Sequence, residues 1–292
     1  MTDAIPNPMQ GPASFAGLSL ARPRVMGIVN VTPDSFSDGG EAFQRVDAVA
    51  RGLAMRAAGA DILDVGGEST RPGADPVSVD DELARVIPVV ERLAGEGALV
   101  SIDTRHAAVM QAAIGAGARI VNDVTALTGD TDALAAVVQA GVGVSVVLMH
   151  MQGEPRTMQL NPTYVDAPVD IRDFLAERIA VCERAGIARA RIAVDPGIGF
   201  GKTLEHNLEI LARMDAFHAL GCAVVLGASR KSFIGTLSGE KAAGRRAPGS
   251  VAAALAARAR GVQIFRVHDV AETAQALAVW EAIAGRSPAS RS

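Results

Sequence analysis

The sequence predicts a single-domain α/β protein with the (β/α)8 architecture of a TIM barrel. Eight short runs rich in β-branched residues alternate with Ala- and Leu-rich segments of helical periodicity. No linker divides the 292 residues, a length that suits one large barrel. Strands that alternate with helices pair in parallel through right-handed crossovers, and eight such units can close into a barrel. An open doubly wound sheet is the alternative, although such sheets usually have fewer strands.

The predicted strands are 25–30, 61–66, 99–103, 119–123, 144–150, 191–195, 223–229 and 263–268. The helical patterns are clearest at 42–58, 79–94, 131–140, 170–185, 203–214, 250–260 and 270–284. We expect the barrel to occupy residues 25–284. A poorly ordered lead-in is expected over 1–24 and a polar tail over 285–292.

Composition narrows the classes of partner. The formal net charge of −4 and the pI near 5.8 give no overall basic field for nucleic acid or an anionic membrane. Cys182 and Cys222 fall in a helical pattern and at a strand start, which favours buried free thiols in a reducing compartment. No segment has the pattern of a signal peptide or the ~18 apolar residues of a membrane span. We expect a cytoplasmic protein.

Polar residues accumulate where the predicted strands end. The stretch RIAVDPGIGFGK, residues 191–202, ends a strand on Asp195 and continues into a Pro- and Gly-rich turn. In a closed barrel the carboxyl ends of all strands meet at one mouth, where barrel enzymes keep their active sites. The other strand ends supply Asn30, Asp103, Asn122, His150, the 229–231 turn and the 266–268 run. Two Gly-containing loops, 30–40 and 66–73, have the composition of lids that exclude water.

Eight motifs in order carry a resemblance to a known family. They are MGIVNVTPDSFSDGG, DVGGESTRPG, SIDT, VNDV, LMHMQGEPRTMQ, DPGIGFGKTLEHNL, GASRKSFIG and RVHDV. From about Val25 to the last helix the chain resembles dihydropteroate synthase of the folate pathway. The resemblance implies an enzyme that joins 4-aminobenzoate to (7,8-dihydropterin-6-yl)methyl diphosphate and releases 7,8-dihydropteroate and pyrophosphate. It also implies an SN1-like order, in which pyrophosphate leaves before the amine attacks.

The family pattern assigns roles to individual residues. It implies pterin binding by Asp103, Asn122, Asp195, Lys231 and Arg266, of which Asp103, Lys231 and Arg266 are the catalytic residues. A carboxylate suits the donor edge of a pterin, and a planar guanidinium can stack on its face while contacting phosphate. Pyrophosphate falls to Asn30, Arg266 and His268, with Mg²⁺ held mainly by phosphate and water oxygens and by Asn30.

The aminobenzoate side draws on all three polar loops and on the turn after the seventh strand. The family pattern places there Asp34, Phe36, Thr70, Arg71, Pro72, Phe200 and Ser232. Sulfonamides, which mimic the shape and charge of aminobenzoate, are expected to compete for this site. The resemblance further implies a homodimer formed through helices late in the chain.

Several competing interpretations accompany these assignments. Asp103 could cap the following helix, and Asp64, inside a strand, is expected to be a satisfied carboxylate of the barrel interior. The segment GKT at 201–203 imitates a phosphate loop, but residue 196 is Pro where that motif requires Gly. Alternative functions are a methyltransferase domain that binds methyltetrahydrofolate and a catalytically silent, pterin-binding paralogue. The methyltransferase domain would not need Lys231, Arg266 or His268. A silent paralogue would be expected to have lost part of the lid or phosphate set, but the sequence retains Asn30, Thr70, Arg71, Lys231, Arg266 and His268.

Overall fold

Eight parallel strands close into a barrel whose first and last members pair with each other. The computed structural model describes residues 11–31, 41–68, 77–154 and 157–285. After a short hairpin of β1 (Ser14–Phe15) and β2 (Leu18–Ser19), the barrel follows chain order and β10 returns to β3. Its strands are β3 (Arg24–Asn30), β4 (Ile62–Gly66), β5 (Val100–Asp103), β6 (Ile120–Asp123), β7 (Ser145–Met149), β8 (Ile192–Asp195), β9 (Ala223–Leu226) and β10 (Ile264–Val267). The (β/α)8 prediction is confirmed.

Helices connect the strands and cover the outside of the barrel. They are α1 (Glu41–Ala57), α2 (Val79–Gly95), α3 (Ala107–Gly115), α4 (Ala133–Gln139), α5 (Ala167–Arg184), α6 (Leu204–Ala212), α7 (Ser232–Ser238), α8 (Ala247–Ala259) and α9 (Val270–Ala284). The clearest helical patterns of the sequence did not include α3 or α7, although a helix was expected after Asp103. Helix α3 is apolar on nearly every side, so it shows no 3.6-residue alternation, and α7 has only seven residues. No helix in the described part of the chain is long and apolar enough to cross a membrane.

The period-two alternation of the strands separates two layers inside the barrel. Ile62, Ile120, Ala193 and Ile264 belong to one buried apolar cluster. Two residues further along the same strands stand Asp64, Asn122, Asp195 and Arg266. Side chains at i and i+2 point to the same face of a strand. The polar groups therefore form a layer directly above the buried apolar cluster, which we call the apolar plug. The intervening residues, such as Leu63, Val121, Val194 and Phe265, pack outward in the larger core under the helices.

The lead-in differs from its prediction over its described part. Phe15 and Leu20 are 2% and 8% exposed and pack in the apolar cluster of the barrel interior. The antiparallel β1 and β2 pair brings them there, and burying a side chain as large as Phe contributes roughly 2 kcal/mol. The segment 11–24 therefore closes the lower end of the barrel. Residues 1–10 lie outside the described ranges, as does the predicted tail after Gly285.

Candidate active site at the barrel mouth

Asp195 ends β8 at the centre of the mouth. Its side chain is only 4% exposed, and its Oδ1 accepts a hydrogen bond from the backbone N–H of Gly197 at 2.7 Å. Gly227, after β9, lies close beside it, since a Cβ there would lie 3.3 Å from Asp195 Oδ2. Burial raises the pKa of Asp195, and the positive charges of Lys231 and Arg266 oppose that rise. The carboxylate is thus buried and oriented by the turn that follows it.

Arg266 on β10 joins two carboxylates from β4 and β5. Its Nε donates to Asp64 Oδ2 at 2.6 Å and its Nη2 donates to Asp103 Oδ2 at 2.5 Å. Asp64 Oδ2 also accepts from Asn122 Nδ2 at 3.1 Å. The four side chains therefore form one continuous network across strands that are distant in sequence. Such charge-assisted contacts fix both the position and the plane of the guanidinium.

The network has unusual electrostatics because so much of it is buried. Burial raises the pKa of Asp103 to about 7, against the opposing effect of Arg266, and the carboxylate of Asp64 adds to the rise. Burial alone would lower the pKa of Arg266, but Asp64 and Asp103 outweigh it and raise that pKa above its ordinary value. Arg266 therefore stays cationic, whereas Asp103 can exchange a proton near neutral pH.

Lys231 approaches the same space from the turn before α7. Its Nζ donates to the carbonyl oxygen of Ile198 and stands 4.2 Å from the centroid of the Phe200 ring. Burial lowers the pKa of Lys231 to about 7, while Asp195 opposes that shift. Ser232, the next residue, is exposed at the start of α7.

Asn30 and His268 lie at the ends of neighbouring strands, β3 and β10. The backbone oxygen of Asn30 accepts from Arg51 Nη2 at 2.9 Å. The backbone N–H of His268 donates to Ser229 Oγ at 3.2 Å, and its Nδ1 lies 3.1 Å from the same oxygen. The rim of the mouth on this side therefore carries an amide and an imidazole beside the Arg266 network.

A scaffolding arginine supports that rim. Arg230 adopts a left-handed backbone conformation with φ 58°, which is uncommon for a residue with a side chain. Its backbone N–H donates to Ser250 Oγ at 2.9 Å and its guanidinium makes a two-point ion pair with Asp269. These contacts hold the 229–231 turn, and with it Lys231, against α8 and the start of α9.

Five predicted residues of the aminobenzoate side fall outside the described part of the chain. They are Asp34, Phe36, Thr70, Arg71 and Pro72. Phe200, by contrast, is described and lies under the Lys231 ammonium group.

The structure also answers the competing interpretations of the carboxylates. Residue 106 is the N-cap of α3, and Asp103 accepts from Arg266, so Asp103 does not cap that helix. Asp64 is in the barrel interior, as expected, but it is not fully satisfied, because its buried Oδ1 has no hydrogen-bond partner among the described residues. Its Oδ2 orients Arg266 and Asn122, so Asp64 belongs to the site. Its place two residues after Ile62 on an inward-facing strand position is the signal that could have indicated this.

The architecture and the network define a barrel enzyme with a buried, charged mouth, and comparison with known proteins specifies its class. The family model for pterin binding enzymes matches residues 26–268. A dihydropteroate synthase of Neisseria meningitidis serogroup C is 49% identical over 91% of this chain and 94% of the relative. That of Escherichia coli K12 is 48% identical over 92% and 95%.

Solved structures agree with this class. A Xanthomonas albilineans dihydropteroate synthase with 4-aminobenzoic acid has a TM-score of 0.86 at 50% identity, covering 91% of this chain and 95% of that one. The same enzyme in complex with 7,8-dihydropteroate gives 0.83 at 48% identity over the same shares. A Yersinia pestis dihydropteroate synthase with a sulfonamide drug complex gives 0.85 at 45% identity over 92% and 97%. The chain belongs to the pterin-binding enzymes and, within them, to the dihydropteroate synthase family.

Proposed function

We propose that the polar layer of the barrel mouth binds the pterin and drives the family's reaction. That reaction joins 4-aminobenzoate to (7,8-dihydropterin-6-yl)methyl diphosphate and yields 7,8-dihydropteroate and pyrophosphate. One observation carries the assignment of residues: Asp103, Asn122, Asp195, Lys231 and Arg266 converge on one buried space directly above the apolar plug. A packed barrel without a ligand would not need five polar groups there.

The pterin has complementary chemistry. Its amine edge offers N–H donors, and the Asp195 carboxylate, oriented through Oδ1 by the Gly197 N–H, can accept from them. Asn122 supplies an amide next to the same interior layer, and Lys231 supplies a donor for the ring carbonyl. The guanidinium plane of Arg266, held by Asp64 and Asp103, can lie against the pterin face.

Departure of pyrophosphate requires positive charge where negative charge develops. The groups at the rim that can stabilise the developing negative charge are Arg266, His268 and the Asn30 amide. The described residues contain no cluster of three His, Cys, Asp or Glu that could hold a metal alone. A single amide oxygen of Asn30 fits Mg²⁺ that takes most of its ligands from diphosphate and water. When bound, the ion would neutralise part of the diphosphate charge.

The dihydropterin can delocalise a cation at its exocyclic methylene once pyrophosphate leaves, which supports an SN1-like order. Asp103 stands beside Arg266 and, when ionised, places negative charge near that cation. The aromatic amine is neutral at pH 7 and attacks without a strong base. Excluding water from the cation is then a role for the loops that follow the first two barrel strands in the sequence.

The remaining assignments complete the proposal. Phe200 and Ser232, with Asp34, Phe36, Thr70, Arg71 and Pro72, form the aminobenzoate side, in line with the 4-aminobenzoic acid and sulfonamide complexes of the relatives. A homodimer through the late helices and a cytoplasmic location are further parts of the proposal. Two buried free cysteines, whose thiol pKa values burial raises to about 11 and about 12, suit a reducing compartment.

Pyrophosphate release tests the reaction. Purified protein receives the dihydropterin diphosphate and Mg²⁺, with and without 4-aminobenzoate, and pyrophosphate and dihydropteroate are quantified together. We expect dihydropteroate and pyrophosphate in equal amounts when both substrates are present. Pterin binding without any release would instead support the silent paralogue or the methyl-transferring relative.

A further inference from the structure

A second buried lysine lies behind the pterin pocket. Only three of the 28 Lys and Arg residues of the chain are lysines: Lys202, Lys231 and Lys241. Lys202 belongs to the GKT segment that imitates a phosphate loop, and its side chain is 3% exposed. Burying an ammonium group in a protein is costly unless its N–H donors are hydrogen-bonded and its charge interacts with an opposite charge.

All three N–H bonds of the ammonium have acceptors. Lys202 Nζ lies 2.9 Å from the backbone oxygen of Phe200, 3.3 Å from that of His150 and 3.0 Å from His150 Nδ1. Because an ammonium only donates, His150 Nδ1 accepts and the imidazole carries its hydrogen on Nε2. Burial, and then the charge of Lys202, lower the pKa of His150 to about 3, so the imidazole stays neutral. Three neutral acceptors match three ammonium donors, whereas a guanidinium would bring five.

The acceptors connect Lys202 to both halves of the pterin pocket. The backbone N–H of His150 donates to the carbonyl oxygen of Asp195 at 3.0 Å. The His150 oxygen packs so closely on Gly197 that a Cβ there would lie 2.0 Å away. On the other side, Phe200 carries the ring beneath Lys231. A shift of the Lys202 ammonium would therefore disturb both the turn after Asp195 and the Phe200 ring beneath Lys231.

Lys202 also adds positive charge near Asp195. Four groups favour the ionised form of that buried carboxylate: Lys231, the Gly197 N–H, Arg266 and Lys202. Burial lowers the pKa of Lys202 well below its ordinary value, and Lys231 adds to that fall while Asp195 opposes it. The groups that face Lys202 most closely are neutral His150 and, at 6.0 Å, the Tyr164 ring. Its three acceptors match the three donors of an ammonium and hold the charged form against that fall. None of the three hydrogen-bond acceptors of Lys202 is a carboxylate, so its charge acts on Asp195 without a competing ion pair among them.

We propose that Lys202 is a positioning residue of the pterin pocket, which fixes the turns carrying Asp195 and Phe200 and places a positive charge behind them. The inference rests on the proposed function, because it assumes that ionised Asp195 accepts hydrogen bonds from the pterin.

The test measures pterin affinity against pH. Calorimetry with 6-hydroxymethylpterin between pH 5 and 9 compares the wild type with Lys202→Gln, whose amide can still donate to both carbonyl oxygens but carries no charge. Without the cation the pKa of Asp195 rises, so the pH below which affinity is lost moves upward. Lys241→Gln, the same change at the exposed lysine, should leave the profile unchanged.

A second variant separates charge from packing and remains informative if Lys202→Gln does not fold. His150→Phe removes one acceptor but keeps the charge of Lys202. We expect weaker affinity with the acid limit at its wild-type pH, and an upward shift in this variant would overturn the proposal. For Lys202→Gln, either an unchanged profile or a uniform loss of affinity with no shift would overturn it.

Turnover of the wild type distinguishes the two levels of the argument. A wild type that makes no dihydropteroate refutes the proposed function. A wild type that turns over, with the acid limit of Lys202→Gln unshifted, refutes only the role of Lys202.

Discussion

Replacing Arg266 by Lys keeps the charge but removes the fork that joins Asp64 and Asp103. The two contacts, at 2.6 and 2.5 Å, come from different nitrogens, and one ammonium cannot reproduce both. Losing one charge-assisted hydrogen bond costs about 1.5–3 kcal/mol. Asp64 has no exposed surface, but Lys keeps a positive charge in the barrel interior, so the loss stays below the upper end of the about 3–5 kcal/mol that removing a buried partner altogether would cost. We expect the variant to lose about 2–4 kcal/mol of unfolding free energy.

Activity should fall with stability. Burial raises the pKa of Asp103 to about 7, and a lysine that keeps the charge but loses the direct Nη2 contact opposes this rise less, so less of Asp103 is ionised at neutral pH. A loss of ~3 kcal/mol in transition-state stabilisation lowers kcat/KM for the dihydropterin diphosphate by roughly 100-fold. Urea unfolding and steady-state pyrophosphate release measure the two effects on the same preparation.

Arg258→Lys is the matched control. Arg258 is 17% exposed, donates to Glu281 at 2.6 Å and to the Val262 oxygen at 3.2 Å, and lies on α8 away from the mouth. It should lose stability with little change in kcat/KM. A kcat/KM of Arg266→Lys within about twofold of the wild-type value would contradict a role for the two guanidinium contacts in catalysis.

Four further predictions follow from the same contacts. Asp195→Ala should weaken pterin binding by more than ~1.5 kcal/mol because it leaves ligand donors unpaired, and unchanged calorimetric affinity would exclude that role. Burial raises the pKa of Glu82 to about 7, so its carboxyl contributes stability below pH 4.5 that is lost as the pH rises to 7. In urea unfolding, the wild type should lose about 3 kcal/mol of unfolding free energy between pH 4.5 and pH 8, and Glu82→Gln should lose much less. An equal loss in the two proteins would contradict this prediction. Gly197→Ala should destabilise the protein by ~2 kcal/mol more than Gly141→Ala. Both glycines have φ 70°, but only a Cβ at residue 197 would clash, with the His150 oxygen 2.0 Å away. Equal decreases in the melting temperature of the two variants would contradict this prediction. Sulfonamides should inhibit competitively with 4-aminobenzoate, and noncompetitive inhibition would show that they bind outside the proposed aminobenzoate site.

The strands were predictable because buried β-branched runs repeat at regular intervals and end on polar residues. The helices were less so: α3 shows no amphipathic alternation because it is apolar on nearly every side. The 11–24 segment contains Pro and Gly and looks like a lead-in, yet Phe15 plugs the barrel. Local composition does not report which cavity a distant aromatic side chain will fill.

The site divides in the same way. Strand-end residues such as Asp195 and Arg266 could be found from the motifs, because their chemistry is visible where each strand ends. Asp64 could be placed inside the barrel but not beside Arg266, since 202 residues separate the two partners. Lys202 and His150 are 52 residues apart, and the local GKT pattern points to the wrong chemistry. Pairings of this kind are set by closure of the barrel rather than by any local signal.

A crystal structure of this protein with 7,8-dihydropteroate tests the central assignment most directly. We predict that the amine edge of the pterin lies within hydrogen-bond distance, about 3 Å, of the Asp195 carboxylate, with Asn122 and Lys231 on other ring heteroatoms and Arg266 against the ring face. A product molecule bound in the mouth with Asp195 turned away from it, or bound elsewhere on the barrel, would contradict the account.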